Sequence, residues 1–287
     1  MKPYSPIIII GAPRSGTNML RDILCQVERV GTWPCDEINY IWRHGNIKNS
    51  TDEFDHSMAR PKVIKFIRNV FERFSRKNKL DYVVEKTCAN SLRVAFVEKI
   101  FPEAKYVFIV RDGIDVAGSA TLKWRAKLDI LYLMKKARYV PIFDLPYLAF
   151  QYFGNRIYKV FSKEKRLSIW GPKFKGINEA FESHHLEEAC ALQWQRCVLM
   201  ADQAFEEIPE ERVIRVKYED LVNSPIREVE RILENLDIDF NQKKVKDSVR
   251  LVTSSNIGKG RIALDKERLK SILSLVSTTL KKYGYKY

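Results

Sequence analysis

The feature that most constrains this chain is a short segment between its first apolar run and the amphipathic segment that follows. Residues 6–10 read PIIII and lead directly into GAPRSGTN at residues 11–18. A buried strand, a glycine-containing turn and a helix start present backbone N–H groups and the positive end of a helix dipole to an anion. The pattern predicts a phosphate-type binding loop. Its candidate contacts are Arg14, Ser15, Gly16, Thr17 and Asn18.

This loop differs from that of nucleoside triphosphate-binding proteins in the position of its cation. In the pattern G-x-x-x-x-G-K-[ST], a lysine follows the last glycine and contacts the β- and γ-phosphates. Gly11 and Gly16 keep the spacing, but Thr17 and Asn18 stand where that pattern has Lys and Ser/Thr, and Arg14 lies inside the loop. The ligand is therefore expected to be an anion other than a nucleoside triphosphate with magnesium. The alternative is a structural turn, which would need neither the arginine nor the hydroxyls.

Short apolar runs and amphipathic segments alternate along the chain. The runs predict strands at about 6–11, 81–85, 105–110 and 211–217. The amphipathic segments predict helices at about 16–28, 62–76, 90–101, 113–127, 186–208, 224–235 and 266–283. This alternation is typical of an α/β fold with a central parallel sheet flanked by helices. Ligands bind at the carboxyl ends of such strands, where residues 14–15, 85–86 and 111–112 are expected to lie.

Length and composition favour one domain over residues 1–287, with a helical insertion at about 125–178. No segment is apolar enough to span a bilayer, and the N-terminus leads directly into the first strand, so we expect a cytoplasmic protein. The five cysteines are odd in number and scattered, which argues against a disulfide framework. No cysteine or histidine spacing typical of a metal site occurs, so no metal is expected.

The net charge of +14 indicates an anionic partner. Residues 121–175 contain thirteen basic and three acidic residues, together with twelve of the 33 aromatic residues. Three interpretations remain open: a lid that packs on the core, a surface for an anionic or membrane-embedded acceptor, and a nucleic-acid surface. Contact of residues 121–175 with the inner face of a membrane is one form of the second interpretation, and no nucleic acid is expected as partner.

Several motifs occur together in one order. The segment PRSGT at residues 13–17 resembles the 5′-phosphosulfate loop of the sulfotransferases that use 3′-phosphoadenosine 5′-phosphosulfate (PAPS). The strand 105–110, followed by RDG and then by Ser119, resembles the 3′-phosphate motif of that family. Further similarities lie at residues 85–87, 218–221 and 255–259. The RDG sequence and the Asp36-Glu37 pair are closer to the tyrosylprotein and bacterial carbohydrate branches. The resemblance implies a P-loop NTPase-like fold.

The resemblance also implies catalytic roles. Lys86 matches the family's transition-state lysine, and Arg14 would act with it on the leaving group. Ser255 matches a catalytic serine, with Ser254 as the alternative. Glu37 would be the base that accepts the acceptor proton. Asp36 or His44 could also be the base, and Asp36 could instead cap a following helix.

For the nucleotide, the resemblance implies contacts from several parts of the chain. Many members of the family read Gly-Lys-Trp where this chain has Gly258-Lys259-Gly260, so an aromatic contact is absent at that position. Asp112 and Asp115 are expected to cap the helix after the RDG sequence. The expected nucleotide contacts outside the first loop are Arg111, Ser119, Lys123, Tyr218, Ser254, Lys259 and Arg261.

Together, the motifs predict transfer of a sulfuryl group from PAPS to an acceptor hydroxyl of a carbohydrate or glycolipid. A tyrosylprotein-type sulfotransferase is the first alternative. A P-loop phosphotransferase that uses a nucleoside triphosphate is a more distant one, because the chain lacks both the P-loop lysine and a clear magnesium-binding aspartate. The non-enzymatic alternative is a basic nucleic-acid-binding module. The sequence does not determine the oligomeric state.

Overall fold

The structure, a computed structural model, describes residues 4–124, 139–146 and 171–287. Most of the expected helical insertion at 125–178 lies outside the described residues, as does most of the basic and aromatic segment 121–175. Within the described parts of the chain, no helix is both long enough and apolar enough to cross a membrane.

The centre of the fold is a sheet of five strands in which all neighbours are parallel, in the order β2-β3-β1-β4-β5. Four strands were predicted to within two residues, because each is a short apolar run that ends in a polar residue. The prediction missed β2, which is only two residues long and has no periodic pattern. The strands are β1 (Ser5–Ile10), β2 (Val30–Gly31), β3 (Tyr82–Lys86), β4 (Lys105–Val110) and β5 (Val213–Lys217).

Helices cover both faces of the sheet. The predicted helix at 16–28 ends at Leu24, because the chain turns through Arg29, at φ 60°, to enter β2. The predicted helix at 90–101 is divided at Arg93 into a 3-10 turn, Cys88–Leu92, and an α-helix. The α-helices of the described residues are α1 (Thr17–Leu24), α2 (Asn39–Arg43), α3 (Pro61–Asn78), α4 (Val94–Ile100), α5 (Gly113–Trp124), α6 (Ile177–Ser183), α7 (Leu186–Phe205), α8 (Tyr218–Asn223), α9 (Pro225–Asn235), α10 (Gln242–Ser248), α11 (Lys259–Ile262) and α12 (Lys266–Lys282).

The isoleucines of β1 contribute to two separate cores. Successive side chains of a strand point to opposite faces, so Ile8 and Ile10 join the core that contains Trp42 and Trp194, whereas Ile7 and Ile9 pack on the other face. The helices α1, α8, α9 and α10 cover that second face, whereas α12 packs against the first core. A strand buried on both sides is therefore apolar throughout, which is why the run of isoleucines was a strong signal.

The direction of the chain across the sheet reverses at β1. After β1 the chain proceeds to β2 and returns through β3 on one side, and it then crosses to β4 and β5 on the other. In open parallel sheets, ligands bind outside the carboxyl ends of the strands at such a reversal. The fold therefore places its candidate crevice after β1, between the ends of β3 and β4.

The short helix α11 lies directly against the backbone of α5. A Cβ atom built on Gly118 would lie 2.6 Å from the Cα of Gly260, and one built on Gly260 would lie 2.4 Å from the Cα of Asp115. Neither glycine can carry a side chain without moving a backbone. This contact explains why the expected aromatic residue is absent at position 260.

We expect Gly118→Ala to destabilise the protein, although alanine is the better helix former. Helix propensity alone would stabilise α5 by about 1 kcal/mol, but the clash with the backbone of α11 should cost about 1–3 kcal/mol. Urea unfolding measures the change. Ser274→Ala, at an exposed position of α12, is the control that should leave stability nearly unchanged. A more stable Gly118→Ala variant would show that the two backbones are not in contact.

Glu85 is a buried carboxylate at the end of β3, on the opposite face from Lys86. It is 1% exposed and accepts hydrogen bonds from Thr87 Oγ1 at 2.5 Å and from Asn90 Nδ2 at 2.8 Å. Burial raises the pKa of Glu85 to about 7, against the opposing effect of its hydrogen bonds. The folded chain therefore holds a proton at Glu85 over a pH range in which the unfolded chain has released it.

This shift predicts a pH dependence of stability. Between pH 4.5 and about 7 the unfolded chain binds fewer protons at Glu85 than the folded chain, so the free energy of unfolding falls as the pH rises. Glu85→Gln should remove this contribution, so the variant should gain stability relative to the wild type as the pH rises. The stability difference between variant and wild type is measured from the midpoints of urea unfolding at pH 4.5 and at about pH 7. Glu103→Gln, at an exposed position, is the control. A difference between variant and wild type that does not change with pH would contradict it.

Candidate functional site

Four parallel strands bring the candidate residues to one edge of the sheet. Because β3, β1, β4 and β5 are neighbours, Lys86, the loop 11–16, Arg111 and Tyr218 follow adjacent strand ends. Residues that lie up to about 200 positions apart in sequence thus surround one crevice. The expectation that polar residues after the strands share an edge is confirmed.

The loop between β1 and α1 has the backbone of an anion cradle. Arg14 and Gly16 adopt positive φ angles of 69° and 87°, and a Cβ atom on Gly16 would lie 2.6 Å from the ring of Tyr218. Ser15 is fully buried, and its Oγ has no hydrogen-bond partner among the described residues. A buried hydroxyl without a partner is costly, and an anion in the loop would supply one.

Arg111 connects this loop to the C-terminal segment. Its guanidinium donates to the carbonyl oxygen of Arg14 at 3.1 Å and to that of Asn256 at 2.6 Å. It also lies over the ring of Tyr218, with Cζ 4.3 Å from the ring centroid. Arg111 is buried, and its Nε has no hydrogen-bond partner among the described residues. The side chain is held in place on two sides and keeps one N–H for a ligand.

Asp115 has a different role from the one predicted. Asp112 does cap α5, since its carboxylate accepts the Ile114 N–H at 2.9 Å. Asp115 instead accepts the backbone N–H groups of Gly258 at 2.7 Å and Gly260 at 2.8 Å. Its carboxylate also lies 3.5 Å from Arg111. Asp115 therefore binds the segment 258–260 to α5, a role that requires the tertiary contact and leaves no local sequence pattern.

Arg14 and Ser119, predicted in separate phosphate-binding motifs, are in direct contact. The Nε of Arg14 donates to the Oγ of Ser119 at 3.0 Å, although 105 positions separate them. Ser119 lies on α5, and Lys123 belongs to the same helix. The structure therefore brings the first loop and the motif after β4 together as one site.

The C-terminal residues expected at the nucleotide are more exposed. Ser254 and Ser255 lie in a 3-10 turn, where the Ser255 N–H donates to Thr253 Oγ1 at 3.2 Å. Lys259 donates to Asn256 Oδ1 at 3.2 Å. Arg261 stacks on the ring of Tyr287, with Cζ 5.0 Å from the centroid. The sequence analysis missed Tyr287, whose hydroxyl also donates to Asp112.

Lys86 forms ion pairs with two carboxylates. Its Nζ donates to Asp36 Oδ1 at 3.0 Å and to Glu37 Oε1 at 3.2 Å, and its side chain is 2% exposed. Burial opposes the charge, but the Glu37 and Asp36 carboxylates outweigh burial and raise the pKa of Lys86 above the ordinary lysine value. The lysine is therefore fully charged and lies next to the predicted base.

The segment that carries the carboxylates is fixed at several points. The backbone N–H of Cys88 donates to Glu37 Oε1 at 3.1 Å, and Arg21 donates to Asp36 Oδ1 at 3.1 Å. The prediction that Asp36 caps α2 is wrong, because Ile38 holds the cap position and no side chain caps that helix. Asp36 instead forms ion pairs with Arg21 and Lys86.

His44, the alternative base, pairs with a residue of the segment 139–146. Its Nδ1 lies 2.8 Å from Asp144 Oδ2, and its ring lies 3.8 Å from that of Phe66. Its observed partner is therefore Asp144, whereas Glu37 is paired with Lys86.

A buried charged network that the sequence analysis missed supports this region. Arg93 is fully buried and donates to Asn39 Oδ1 at 2.5 Å and to Asn90 Oδ1 at 2.8 Å. Asp52 lies 3.5 Å from Arg93 and accepts from Arg43 at 2.7 Å. Burial would raise the pKa of Asp52, but the two arginines outweigh it and hold that pKa below its usual value. The network anchors α2 beside the Asp36-Glu37 segment.

No group of residues suited to hold a metal ion occurs in the described ranges. Cys88 lies against the site, with its Sγ 3.8 Å from Thr17 Oγ1. Burial raises the pKa of its thiol well above the ordinary value, so the thiol is protonated at neutral pH. The arrangement of cations, hydroxyls and a carboxylate is suited to transfer of an anionic group between oxygens.

Solved structures share this architecture at low sequence identity. The sulfotransferase domain from the curacin biosynthetic pathway is 13% identical, with a TM-score of 0.57 over 96% of this chain and 99% of that one. The sulfotransferase domain of the Synechococcus PCC 7002 olefin synthase is 16% identical, with a TM-score of 0.54 over 100% and 97%. Mouse sulfotransferase SULT7A1, complexed with PAP, is 14% identical, with a TM-score of 0.50 over 98% and 86%. The likeness confirms the predicted P-loop-like α/β fold.

Sequence comparison identifies the family more directly. No curated protein sequence matches the chain significantly. The model of the sulfotransferase family matches residues 6–135 and 155–242, well over half of the chain. The chain belongs to the sulfotransferase family.

Proposed function

We propose that this chain transfers the sulfuryl group of PAPS to the hydroxyl of an acceptor. The observation that carries the proposal is a pair of buried polar atoms without partners among the described residues, Ser15 Oγ and Arg111 Nε. One belongs to each of the two motifs that resemble phosphate-binding sites. A ligand with two phosphate-type groups would satisfy both. In mouse SULT7A1, the bound molecule is PAP, the product that PAPS leaves after transfer.

The residues of the site fit the two ends of such a nucleotide. The loop 11–16, with the N-terminus of α1, offers backbone N–H groups to the 5′-phosphosulfate, and Arg14 and Ser15 add a cation and a hydroxyl. Arg111 and Ser119 offer a guanidinium and a hydroxyl to the 3′-phosphate, with Lys123 on the same helix. Tyr218, Lys259 and Arg261 would lie along the adenosine. A nucleoside triphosphate would need a P-loop lysine, which this loop lacks.

In the proposed reaction the acceptor oxygen attacks sulfur and forms a new S–O bond. The bond between sulfur and the 5′-phosphate oxygen breaks, and its electron pair stays on that oxygen. Lys86 and Arg14 stabilise the negative charge that develops there, and Ser255 is assigned to the same side from its motif. Glu37 accepts the acceptor proton. The products are a sulfate ester and PAP.

The ion pair of Lys86 with Glu37 suggests an order of events. In the structure, the ammonium group of Lys86 lies 3.2 Å from the Glu37 carboxylate and 3.0 Å from the Asp36 carboxylate. A sulfuryl group next to Lys86 would compete with Glu37 for the ammonium group. Binding of the donor would then weaken the ion pair of Lys86 with Glu37, so that the electrostatic environment of the proposed base changes when sulfur is in place.

For the acceptor we propose a carbohydrate or glycolipid hydroxyl, with tyrosine as the second candidate. The strongly basic and aromatic composition of residues 121–175 is suited to an anionic membrane surface or a sugar face. In its described part, Ile142 is 71% exposed and Leu145 is 44% exposed. Transfer from radiolabelled PAPS to an alkyl glucoside, to a tyrosine-containing peptide and to p-nitrophenol would distinguish the acceptor classes.

If PAPS is the donor, the site should bind a nucleotide with a 3′-phosphate much more tightly than one without it. PAP at about a hundredfold excess over its Kd should stabilise the protein by about 2.7 kcal/mol. ADP lacks the 3′-phosphate and should raise the melting temperature only slightly. Ser119→Ala should reduce the response to PAP but leave the response to ADP unchanged, and Ser274→Ala should change neither. Equal shifts with PAP and ADP, or a requirement for magnesium, would favour a phosphotransferase instead.

The proposed role of Glu37 as base predicts that its substitution lowers kcat without weakening PAP binding. Glu37→Gln keeps the size of the side chain but accepts no proton, so kcat should fall by about 10²–10⁴-fold. PAP affinity should be nearly unchanged, because the carboxylate lies on the acceptor side of sulfur. The rate is measured as sulfate release from PAPS, with water as acceptor, and as transfer to the best acceptor of the panel.

His44→Ala is the control, and its activity should stay within a few-fold of wild type. An essential His44 with a dispensable Glu37 would assign the base to the histidine. A Glu37→Gln variant that also loses PAP binding would show that Glu37 is structural.

A further inference from the structure

Residues 283–287, which follow α12, are hydrogen-bonded to the residue after Arg111. The Tyr287 hydroxyl donates to Asp112, and the other carboxylate oxygen of Asp112 accepts the Ile114 N–H at 2.9 Å. Burial raises the pKa of Asp112, and the hydrogen bond from Tyr287 opposes that shift by stabilising the charged carboxylate. The segment 283–287 therefore reaches the end of β4, where the chain resembles a 3′-phosphate motif.

A second hydrogen bond fixes the path of this segment. The Tyr285 hydroxyl donates to Glu219 Oε2 at 2.8 Å, and Glu219 Oε1 accepts the Asp112 N–H at 3.0 Å. Glu219 directly follows Tyr218, the first residue after β5. The segment 283–287 thus connects the ends of β4 and β5, and this connection determines where the ring of Tyr287 lies.

The ring of Tyr287 contacts the guanidinium of Arg261. The Cζ of Arg261 lies 5.0 Å from the ring centroid, a distance typical of a cation–π contact. Arg261 is exposed, and no carboxylate in the described ranges forms an ion pair with it. A long exposed side chain has many conformations in water, and an aromatic contact reduces their number. The ring therefore holds the positive charge in one place without neutralising it.

The backbone contacts of Gly260 show where this charge lies. The Gly260 N–H donates to Asp115 Oδ1 at 2.8 Å, and a Cβ atom built on Gly118 would lie 2.6 Å from the Cα of Gly260. Gly118 directly precedes Ser119, which is expected at the 3′-phosphate. Arg261 therefore begins beside α5, at the 3′-phosphate end of the proposed site. A guanidinium is well suited to bind a phosphate there through two parallel N–H groups.

We propose that Tyr287 is a specificity-determining residue, whose ring positions Arg261 to bind the 3′-phosphate of the donor. This inference deepens the proposed function and rests on its assignment of a 3′-phosphorylated nucleotide. Tyr287 does not touch the phosphate in this arrangement and acts only through Arg261. A nucleotide without a 3′-phosphate has no group for Arg261 to bind, so the contribution of Tyr287 is specific to PAPS and PAP.

The test compares the Kd values of PAP and ADP for the full chain by isothermal titration calorimetry. Tyr287→Leu should weaken PAP binding by about threefold to tenfold, because the cation–π contact that holds Arg261 is lost. The Kd for ADP should change by less than about twofold, so the preference for PAP over ADP should fall by nearly the full factor. Tyr287→Phe keeps the ring and should retain most of the preference, although it loses the hydrogen bond to Asp112.

The kinetics of sulfate release from PAPS provide a second measurement. The 3′-phosphate is remote from the S–O bonds that form and break, so its contacts are equal in the ground state and the transition state. Loss of such a contact raises KM and leaves kcat unchanged. Tyr287→Leu should therefore raise the KM for PAPS by the factor measured for the Kd of PAP. A fall in kcat without a change in KM would contradict the proposed role.

The matched control is Tyr82→Leu. Tyr82 is also a partly exposed tyrosine whose hydroxyl donates to a residue distant in sequence, the Asp237 carbonyl, at 3.0 Å. This contact lies at the amino end of β3, at the opposite edge of the sheet from the site. The variant should leave both Kd values unchanged, so any general effect of losing such a tyrosine is measured separately.

Arg261→Gln keeps the inference testable if Tyr287→Leu folds poorly. It should weaken PAP binding by about tenfold or more, because a charge-assisted hydrogen bond is lost, and leave ADP binding unchanged. Adding Tyr287→Leu to Arg261→Gln should weaken PAP binding no further, because Tyr287 acts only through Arg261. Additive losses in the double variant, equal losses for PAP and ADP, or an unchanged preference in Arg261→Gln would overturn the inference.

The wild-type protein separates a failure of this inference from a failure of the proposed function. If the wild type binds PAP and ADP equally well, the donor assignment fails, and the role of Tyr287 fails with it. If the wild type prefers PAP and Tyr287→Leu keeps that preference, only the role of Tyr287 fails.

Discussion

The two-sided contact of Arg111 is the interaction on which the rest of the site depends. Its guanidinium links the carbonyl of Arg14 in the first loop to the carbonyl of Asn256 in the C-terminal segment. Tyr218 packs against one face of this guanidinium and also fills the space beside Gly16. Three strand ends and the C-terminal segment are thereby fixed around one buried cation, which keeps one N–H for a ligand.

Close approach of backbones sets the shape of the region proposed to bind the nucleotide. Gly118 and Gly260 touch without side chains between them, and Asp115 binds the N–H groups that this approach leaves beside α5. An aromatic residue at position 260 would separate the two backbones. The absence of an aromatic residue at position 260 agrees with the packing of α11 on α5, and Arg261 stacks on the ring of Tyr287.

The region proposed to face the acceptor depends on paired charges. Lys86, Arg21, Asp36 and Glu37 form a compact group in which each charge has an opposite neighbour. Such a group is stable only while its partners remain in place, because a buried charge that loses its partner is costly. This property connects binding and chemistry in the proposed mechanism, since a donor anion that attracts Lys86 also changes the state of the base.

The sequence by itself determined four of the five strands, the first loop and the residues at the strand ends, because these follow from local patterns: apolar runs, the GAPRSGTN segment, and the polar residues after each run. It did not determine how the charges pair. Asp36 looked like a helix cap, Asp115 like another, and Arg21 had no visible role, because each contacts partners 15 to 145 positions away. Only the tertiary structure decided these pairings, since the parallel strands bring distant segments together and buried charges must then find partners nearby.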